Sequence, residues 1–339
     1  MTVTTPPRRG FFNNPRARQE ALAAYLFLLP YLIVTLVFTV GVILFAFYIS
    51  FNQFNLFTWP PEWVGLDNYI RALSPKGQFV RSLVNVIWYV IIVVPLQTSL
   101  ALALATLINT KVRGSQVFRT LFYAPSVASS VVITMIFWWL YLKTGYLNYF
   151  LTQLWAAFGA EWTAVEWLNN PRGLIQLIVQ AFGGDIPSSL WYLRGPSVTW
   201  MAIMFQNIFT TAPTFMLMFL AALQEIPPPL YEAAAIDGAN NRQQFWKITV
   251  PMLRPVILLI VVLGTIGTWQ VFDQVKILTA GGPLNTTLVP VYLIYSEAIG
   301  TNGPPTVGYA SAMAVLLAAI IFFFTYIQRR YIESGTESF

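Results

Sequence analysis

Charged residues interrupt this chain so rarely that the gaps between them outline its elements. Residues 21–61, 82–110, 120–142, 195–224, 255–272 and 298–328 carry no charge. A helix that crosses the hydrocarbon of a bilayer needs about 20 mostly apolar residues, range roughly 17–25. The pattern therefore predicts six transmembrane helices, at about 22–50, 83–109, 118–142, 197–223, 255–277 and 307–328. The first apolar run, Ala21–Phe51, is about twice the ~7–15 residues of a secretory signal core, so it reads as an uncleaved signal anchor. Gly173–Gly184 is apolar but too short to cross, and is expected at the interface or against the bundle. Tyr146–Phe158, inside the long loop 143–196, reads as an amphipathic helix.

Lys and Arg between the spans orient them. With the N-terminus inside, segments 1–20, 108–119, 224–254 and the tail from 328 hold twelve of the 19 basic residues in short stretches. Among them are Arg8, Arg9, Lys111, Arg113, Arg242, Lys247, Arg254, Arg329 and Arg330. The much longer outside loops hold the other seven, including Arg71, Lys76, Arg81, Arg172 and Arg194. Both termini are thus expected to be cytoplasmic, with 1–20 an N-terminal segment, 21–328 the membrane domain and 329–339 the tail. The outside stretches 52–80 and 143–196, rich in Trp and Tyr, read equally well as interfacial aromatics or as a docking face for an external partner.

Composition sharpens the picture. The chain is 57% hydrophobic and only 9% charged, with mean hydropathy +0.63. A soluble domain carries about 25% charged residues, so the class is an all-α polytopic membrane protein. The net charge of +6 follows from the basic inside loops and implies no nucleic acid. Cys and His are both absent, which removes thiolate nucleophiles, the usual general base and the commonest metal ligand. No metal site is expected.

The inside loop 224–254 carries the most specific pattern. Pro227, Pro228 and Pro229 end one helix and can open another. Leu230–Ile236 is built of strong helix formers, with Glu232 expected in the first turn, where the macrodipole favours an anion. Gly238 allows a turn of positive φ, and Asn241–Val250 reads as a second short helix that Pro251 ends. On physical grounds alone, such a loop is either an ordinary amphipathic connection or a docking element. Its spacing, Glu232-Ala233-Ala234, three residues, Gly238, nine residues, then Ile248-Thr249-Val250-Pro251, resembles the E-A-A motif of permease subunits of binding-protein-dependent ABC importers, with Val250 where Leu is usual. Val64–Tyr69, Phe118–Leu121 followed by Pro125, Phe272-Asp273, Leu278–Pro283 and Gly308–Ala312 are similar to segments of the carbohydrate permeases related to the maltose and glycerol-3-phosphate systems. The likeness runs from about residue 20 to 328.

That resemblance implies a type I importer permease (MetI-like) core in the cell membrane of a prokaryote. It implies pairing with a second, homologous permease, two cytoplasmic ATPase subunits docked at the coupling loops, and an extracytoplasmic solute-binding protein that delivers a sugar. Glu232, Ala233, Ala234, Asp237, Gly238, Ile248 and Pro251 would form this chain's coupling loop. ATP and Mg would be bound by the partner ATPase, and no cofactor by this chain, which has no G-x4-G-K-S/T phosphate loop.

Polar side chains within spans tend to face the bundle interior or a cavity. Asn207, Thr210, Thr211 and Thr214 share one helix face, as do Ser126, Ser129, Ser130 and Thr134. Thr265, Thr268 and Trp269 precede Gln270, Asp273 and Gln274. Ser126, Ser130, Asn207, Thr211, Thr214, Trp269, Gln270 and Asp273 are the candidate solute path, offering hydroxyl, amide and aromatic groups to a sugar. Small polar residues also bond their own backbone or mediate helix packing, and Asp273 could simply mark the end of the fifth span. The spans carry no cation, which favours a neutral sugar. The competing readings are an ion-coupled secondary transporter of a small polar solute, for which internal repeats and intramembrane charges are lacking, and a membrane enzyme using carboxylate chemistry.

Overall fold

The computed structural model describes residues 15–333 except 56, 58, 76, 110–114 and 302. Arg8, Arg9, Lys76, Lys111, Arg113 and residues 1–14 and 334–339 lie outside the described residues. The first span comprises α1 (Pro15–Val34), a π-helical stretch Thr35–Gly41 and α2 (Val42–Ile49). From Ala21 to Tyr48 its side chains are almost all exposed and apolar, which suits a helix facing lipid. A two-stranded antiparallel hairpin follows, β1 (Asn52–Gln53) with β2 (Glu62–Trp63), then α3 (Asp67–Ala72). Asn68 Nδ2 donates to the carbonyls of Ser50 and Asn52, both at 3.0 Å, and ties this cap to the end of the first span.

The bundle is built on α4 (Gln78–Asn109) and α9 (Val198–Glu225), which run parallel and pack along their length. Towards their N-termini, Phe79, Val86, Tyr89, Trp200 and Ile203 form a buried cluster with Trp269, Val275, Leu293 and Met313. The Tyr89 and Trp200 rings lie 4.6 Å apart. Towards their C-termini a second cluster joins Ala101, Ala105, Met216, Phe219 and Leu223 to Ile226, Leu253 and Ile260, beside the loop 224–254. The remaining long helices are α13 (Arg254–Trp269) and α16 (Val307–Glu333).

Three stretches differ from expectation. The third span, expected as one helix over 118–142, is α5 (Ser115–Val127) and α6 (Ser130–Leu140), bent by 95° at Ala128-Ser129. Pro125 withholds a backbone donor, the Ser126 hydroxyl bonds the Tyr123 carbonyl at 2.7 Å, and small residues follow; sharp kinks arise at such places. The pair still runs the height of the bundle: Phe122 joins the cluster nearest the 224–254 loop, whereas the Tyr141 hydroxyl reaches the Ala202 carbonyl (2.8 Å) at the other end. The fifth span, expected over 255–277, runs Arg254–Leu278 as expected, but not as one continuous helix: α13 ends at Trp269 and α14 (Asp273–Leu278) resumes after a break at Gln270–Phe272. Finally, α15 (Pro290–Ile299) was not foreshadowed by charge spacing, because Glu297 splits its apolar run. Pro290 opens it and Gly300, with φ +78°, closes it.

Among the described residues, five helices are long and apolar enough to cross a membrane, and the bent α5–α6 pair makes a sixth. The expected amphipathic helix is α7 (Tyr146–Ala157), and Gly173–Gly184 contains only the short α8 (Leu174–Ala181).

Candidate coupling element and solute cavity

The loop after α9 folds into α10 (Pro228–Ile236) and a second helix made of α11 (Asn241–Gln244), a π turn Phe245–Thr249 and α12 (Val250–Met252). Two motifs set the angle between them. The Ala239 N–H donates to the Ala234 carbonyl at 2.8 Å and the Gly238 N–H to the Ala235 carbonyl at 3.1 Å, a Schellman closure with Gly238 at φ +82°. Asn240 then opens the second helix with a capping box: its Oδ1 accepts from the Gln243 N–H, while Gln243 Oε1 accepts from the Asn240 N–H, both at 2.9 Å. The Tyr231 and Thr249 hydroxyls meet at 2.9 Å and join the two arms. Buried Ile226 and Leu253 root the element in the core.

Its other side is bare. Glu232, Ala233, Asp237 and Gly238 are exposed, Ala234, Ile248 and Pro251 are half-buried, and Ile236 and Trp246 are 87% and 61% exposed. Two details depart from expectation. The helix begins at Pro228, so Glu232 lies beyond the first turn, where the dipole field has faded. The second helix continues through Pro251 to Met252, since Pro fits the first turn of α12.

A cavity of about 340 Å3 opens beside the α5–α6 bend, between α6, α9 and α14. It gathers Ser126, Ser130, Thr210, Thr211, Thr214 and Gln274, along with Gln206. The hydroxyl protons of this wall are committed within the protein: Thr211 shares its proton between the Asn207 carbonyl and Gln97 Oε1 (each 2.8 Å), Thr210 donates to the Asn207 carbonyl (3.0 Å), and Ser126 donates to the Tyr123 carbonyl. These side chains therefore present oxygen lone pairs to the cavity, suited to a ligand rich in O–H donors. Asn207 is buried but does not line the cavity. Trp269 is buried against Phe324 with ring centroids 5.4 Å apart, Gln270 is exposed at the helix break, and Asp273 is half-buried at the start of α14.

Two glutamines were missed by the sequence reading. Gln206 and Gln97 are each 1% exposed. Gln206 Nε2 donates to the Thr134 hydroxyl at 2.7 Å, and Gln97 Oε1 accepts from Thr211 at 2.8 Å. Gln206 Oε1 and Gln97 Nε2 have no protein partner. A lone amide in an apolar run is costly to bury, and that was the available signal.

A bundle this apolar outside that keeps a polar cavity between its helices is a membrane protein able to hold a polar solute. Residues 97–336 match the family described as the binding-protein-dependent transport system inner membrane component, and the chain belongs to that family. It is thus a multi-pass membrane permease of the ABC-transporter type. A probable ABC transporter permease protein of Bacillus subtilis, YesP, is 33% identical over 306 residues, covering 90% of this chain and 88% of the relative. The trehalose/maltose transport system permease protein MalF of Thermococcus litoralis is 30% identical over 308 residues, covering 91% and 92%. In three dimensions the chain is similar to a bacterial ABC transporter involved in the import of the acidic polysaccharide alginate, with TM-score 0.71 and 20% identity, covering 94% of this chain and 98% of that one; that likeness is one of fold.

Proposed function

We propose that this chain is the permease subunit of an ABC importer that admits a sugar. It forms the translocation path with a second permease. An extracytoplasmic binding protein delivers the solute, and two ATPase subunits supply the driving force. Both termini lie in the cytoplasm with the 224–254 loop. The sugar class is supported by relatives named for trehalose/maltose and for arabinooligosaccharides and by the hydroxyl-lined cavity. The observation that carries the coupling role is the two-helix element after α9: rooted in the core, angled by Gly238, and exposing Ile236 and Trp246. An apolar exposed face of this kind marks a protein contact.

The test compares two variants of that element. Gly238 has open space around it, so size is not the obstacle; its φ of +82° is. A β-branched residue there is strained by roughly 1–3 kcal/mol and redirects the second helix. Glu232→Ala removes one exposed carboxylate and leaves the angle intact. Gly238→Val is expected to lower ATPase co-purification and sugar-stimulated ATP hydrolysis more than Glu232→Ala, with membrane insertion unchanged for both. Full assembly and stimulation in Gly238→Val would reject the coupling role and favour a secondary transporter.

A further inference from the structure

A second cavity, of about 220 Å3, lies at the end of the bundle opposite the coupling element. Its walls carry Arg81 from the first turn of α4, Arg172 before α8, and Arg194 before α9, together with Trp191, Asn85 and Gln176. The walls are held by backbone. The Val198 N–H donates to the Arg172 carbonyl at 3.0 Å, the Gln176 N–H to the Arg194 carbonyl at 3.2 Å, and the Leu174 N–H to the Pro196 carbonyl at 2.9 Å. Gly173 makes this possible: a side chain there would strike the Arg194 backbone. Asn85 Nδ2 fastens the facing loop through the carbonyls of Asn285 and Leu288.

The charge of this cavity is unbalanced. Among the described residues the one ion pair is Lys143–Glu166, and it lies elsewhere. No carboxylate lines the cavity. Arg81 sits over the Trp191 ring at 5.5 Å, Arg194 donates through Nη2 to the Ile186 carbonyl at 3.2 Å, and the enclosed Arg194 Nε has no partner. Three like charges gathered in a concave site raise the local potential and attract an anion. Guanidinium forks match a carboxylate in geometry.

We infer that this outer cavity is a subsite for the carboxylate of an acidic sugar, taken up on the way to the hydroxyl-lined cavity; the inference rests on the sugar-permease reading. The Gln176 amide and Asn85 Oδ1, whose amide protons are already given to Asn285 and Leu288, add hydrogen-bonding groups for the ring hydroxyls of such a sugar. An acidic side chain of a docking protein would call for cations on an exposed rim; here Arg172 is exposed, whereas Arg81 and Arg194 are half-buried in the wall, and the Arg194 Nε is enclosed. The expectation of a neutral solute came from spans without internal cations, and the three arginines escape it because they gather at the mouth.

The experiment uses the assembled transporter in nanodiscs, without binding protein, and measures binding of glucuronate and of glucose by calorimetry or saturation-transfer NMR. Glucuronate is expected to bind about tenfold or more tightly than glucose, the order expected for charge-assisted hydrogen bonds, and to weaken with added salt. Arg81→Gln and Arg172→Gln are expected to erase that preference, and Arg81→Lys to retain part of it. If a Gln variant fails to assemble, the Lys variant carries the comparison. Equal binding of the two sugars, no binding of either, or a preference that survives the substitutions would overturn the proposal. So would loss of binding-protein association in the variants while the glucuronate preference persists. Sugar-stimulated ATP hydrolysis with the cognate binding protein is measured separately. Intact stimulation without a carboxylate preference sinks the anion subsite alone; no stimulation by any sugar sinks the reading beneath it.

Discussion

At the scale of single residues, the buried amides carry the most information. Gln206 is enclosed, satisfies Thr134 through Nε2, and leaves Oε1 unpaired beside the cavity. Thr134 keeps its own bond to the Ser130 carbonyl, at 2.7 Å, whether or not Gln206 is present. Gln206→Leu therefore removes an unsatisfied polar atom and strands no donor, and stability should change by no more than about 1 kcal/mol. Transport should fall several-fold if the amide lines the path. Thermal midpoint and vesicle uptake, measured on the same preparation, separate the two; undiminished uptake would take Gln206 out of the path. These amides were visible in the sequence as isolated polar letters. Their pairing across α4, α6 and α9 was not, because partners such as Gln97 and Thr211 are 114 residues apart.

At the scale of elements, helix ends decide more than helix interiors. The two-helix element after α9 was legible because its breaks are written in Pro227, Pro228, Pro229 and Gly238, residues whose backbone chemistry leaves few choices. Its capping box was equally legible, since Asn240 and Gln243 stand three apart, yet the sequence reading passed over it. Asn240→Ala should cost the second helix about 1 kcal/mol. A titration of ATPase onto the nanodisc-held permease should show affinity weakened by up to roughly fivefold, with the complex still forming. Unaltered affinity would mean that docking does not depend on that helix start. The α5–α6 bend was harder to read. Hydropathy sees only that 120–142 is apolar and uncharged; it says nothing about whether the axis stays straight through Pro125 and the small residues after it.

At the scale of the whole molecule, Asn85 is the long-range tie. Its side chain on α4 donates to the Asn285 carbonyl at 3.0 Å and the Leu288 carbonyl at 2.8 Å, some two hundred residues away. The bonds hold the segment between α14 and α15 against the bundle and form one wall of the arginine-lined cavity. Asn85→Ala leaves two carbonyls short of a donor. At about 0.5–1.5 kcal/mol per bond, the loss should lower the thermal midpoint of the purified permease by about 1–4 °C. A midpoint unchanged within error would show that Leu288 and Val289, buried in the core, hold the segment alone.

The amino-acid sequence by itself determined the class, the number of apolar runs and the helix–turn–helix of the 224–254 loop. Each rests on physics local in the chain: about 20 apolar residues per crossing, scarce charge, and proline and glycine at fixed spacing. It also placed Ser126, Ser130, Thr211 and Thr214 as candidates from helical periodicity alone. Only the tertiary structure decided which of them share a wall. It put Trp269 against Phe324 in the core and kept Asn207 off the cavity, although both fit the same periodic argument. Periodicity gives a residue's face on its own helix and nothing about what packs there. That choice belongs to bends such as Ala128-Ser129, and to contacts such as Asn85 with Leu288 that join parts of the chain no local rule connects. For the same reason the gathering of Arg81, Arg172 and Arg194 was invisible in a list of charges along the chain: the first turn of α4 and two loops had to meet before the three arginines lined one cavity.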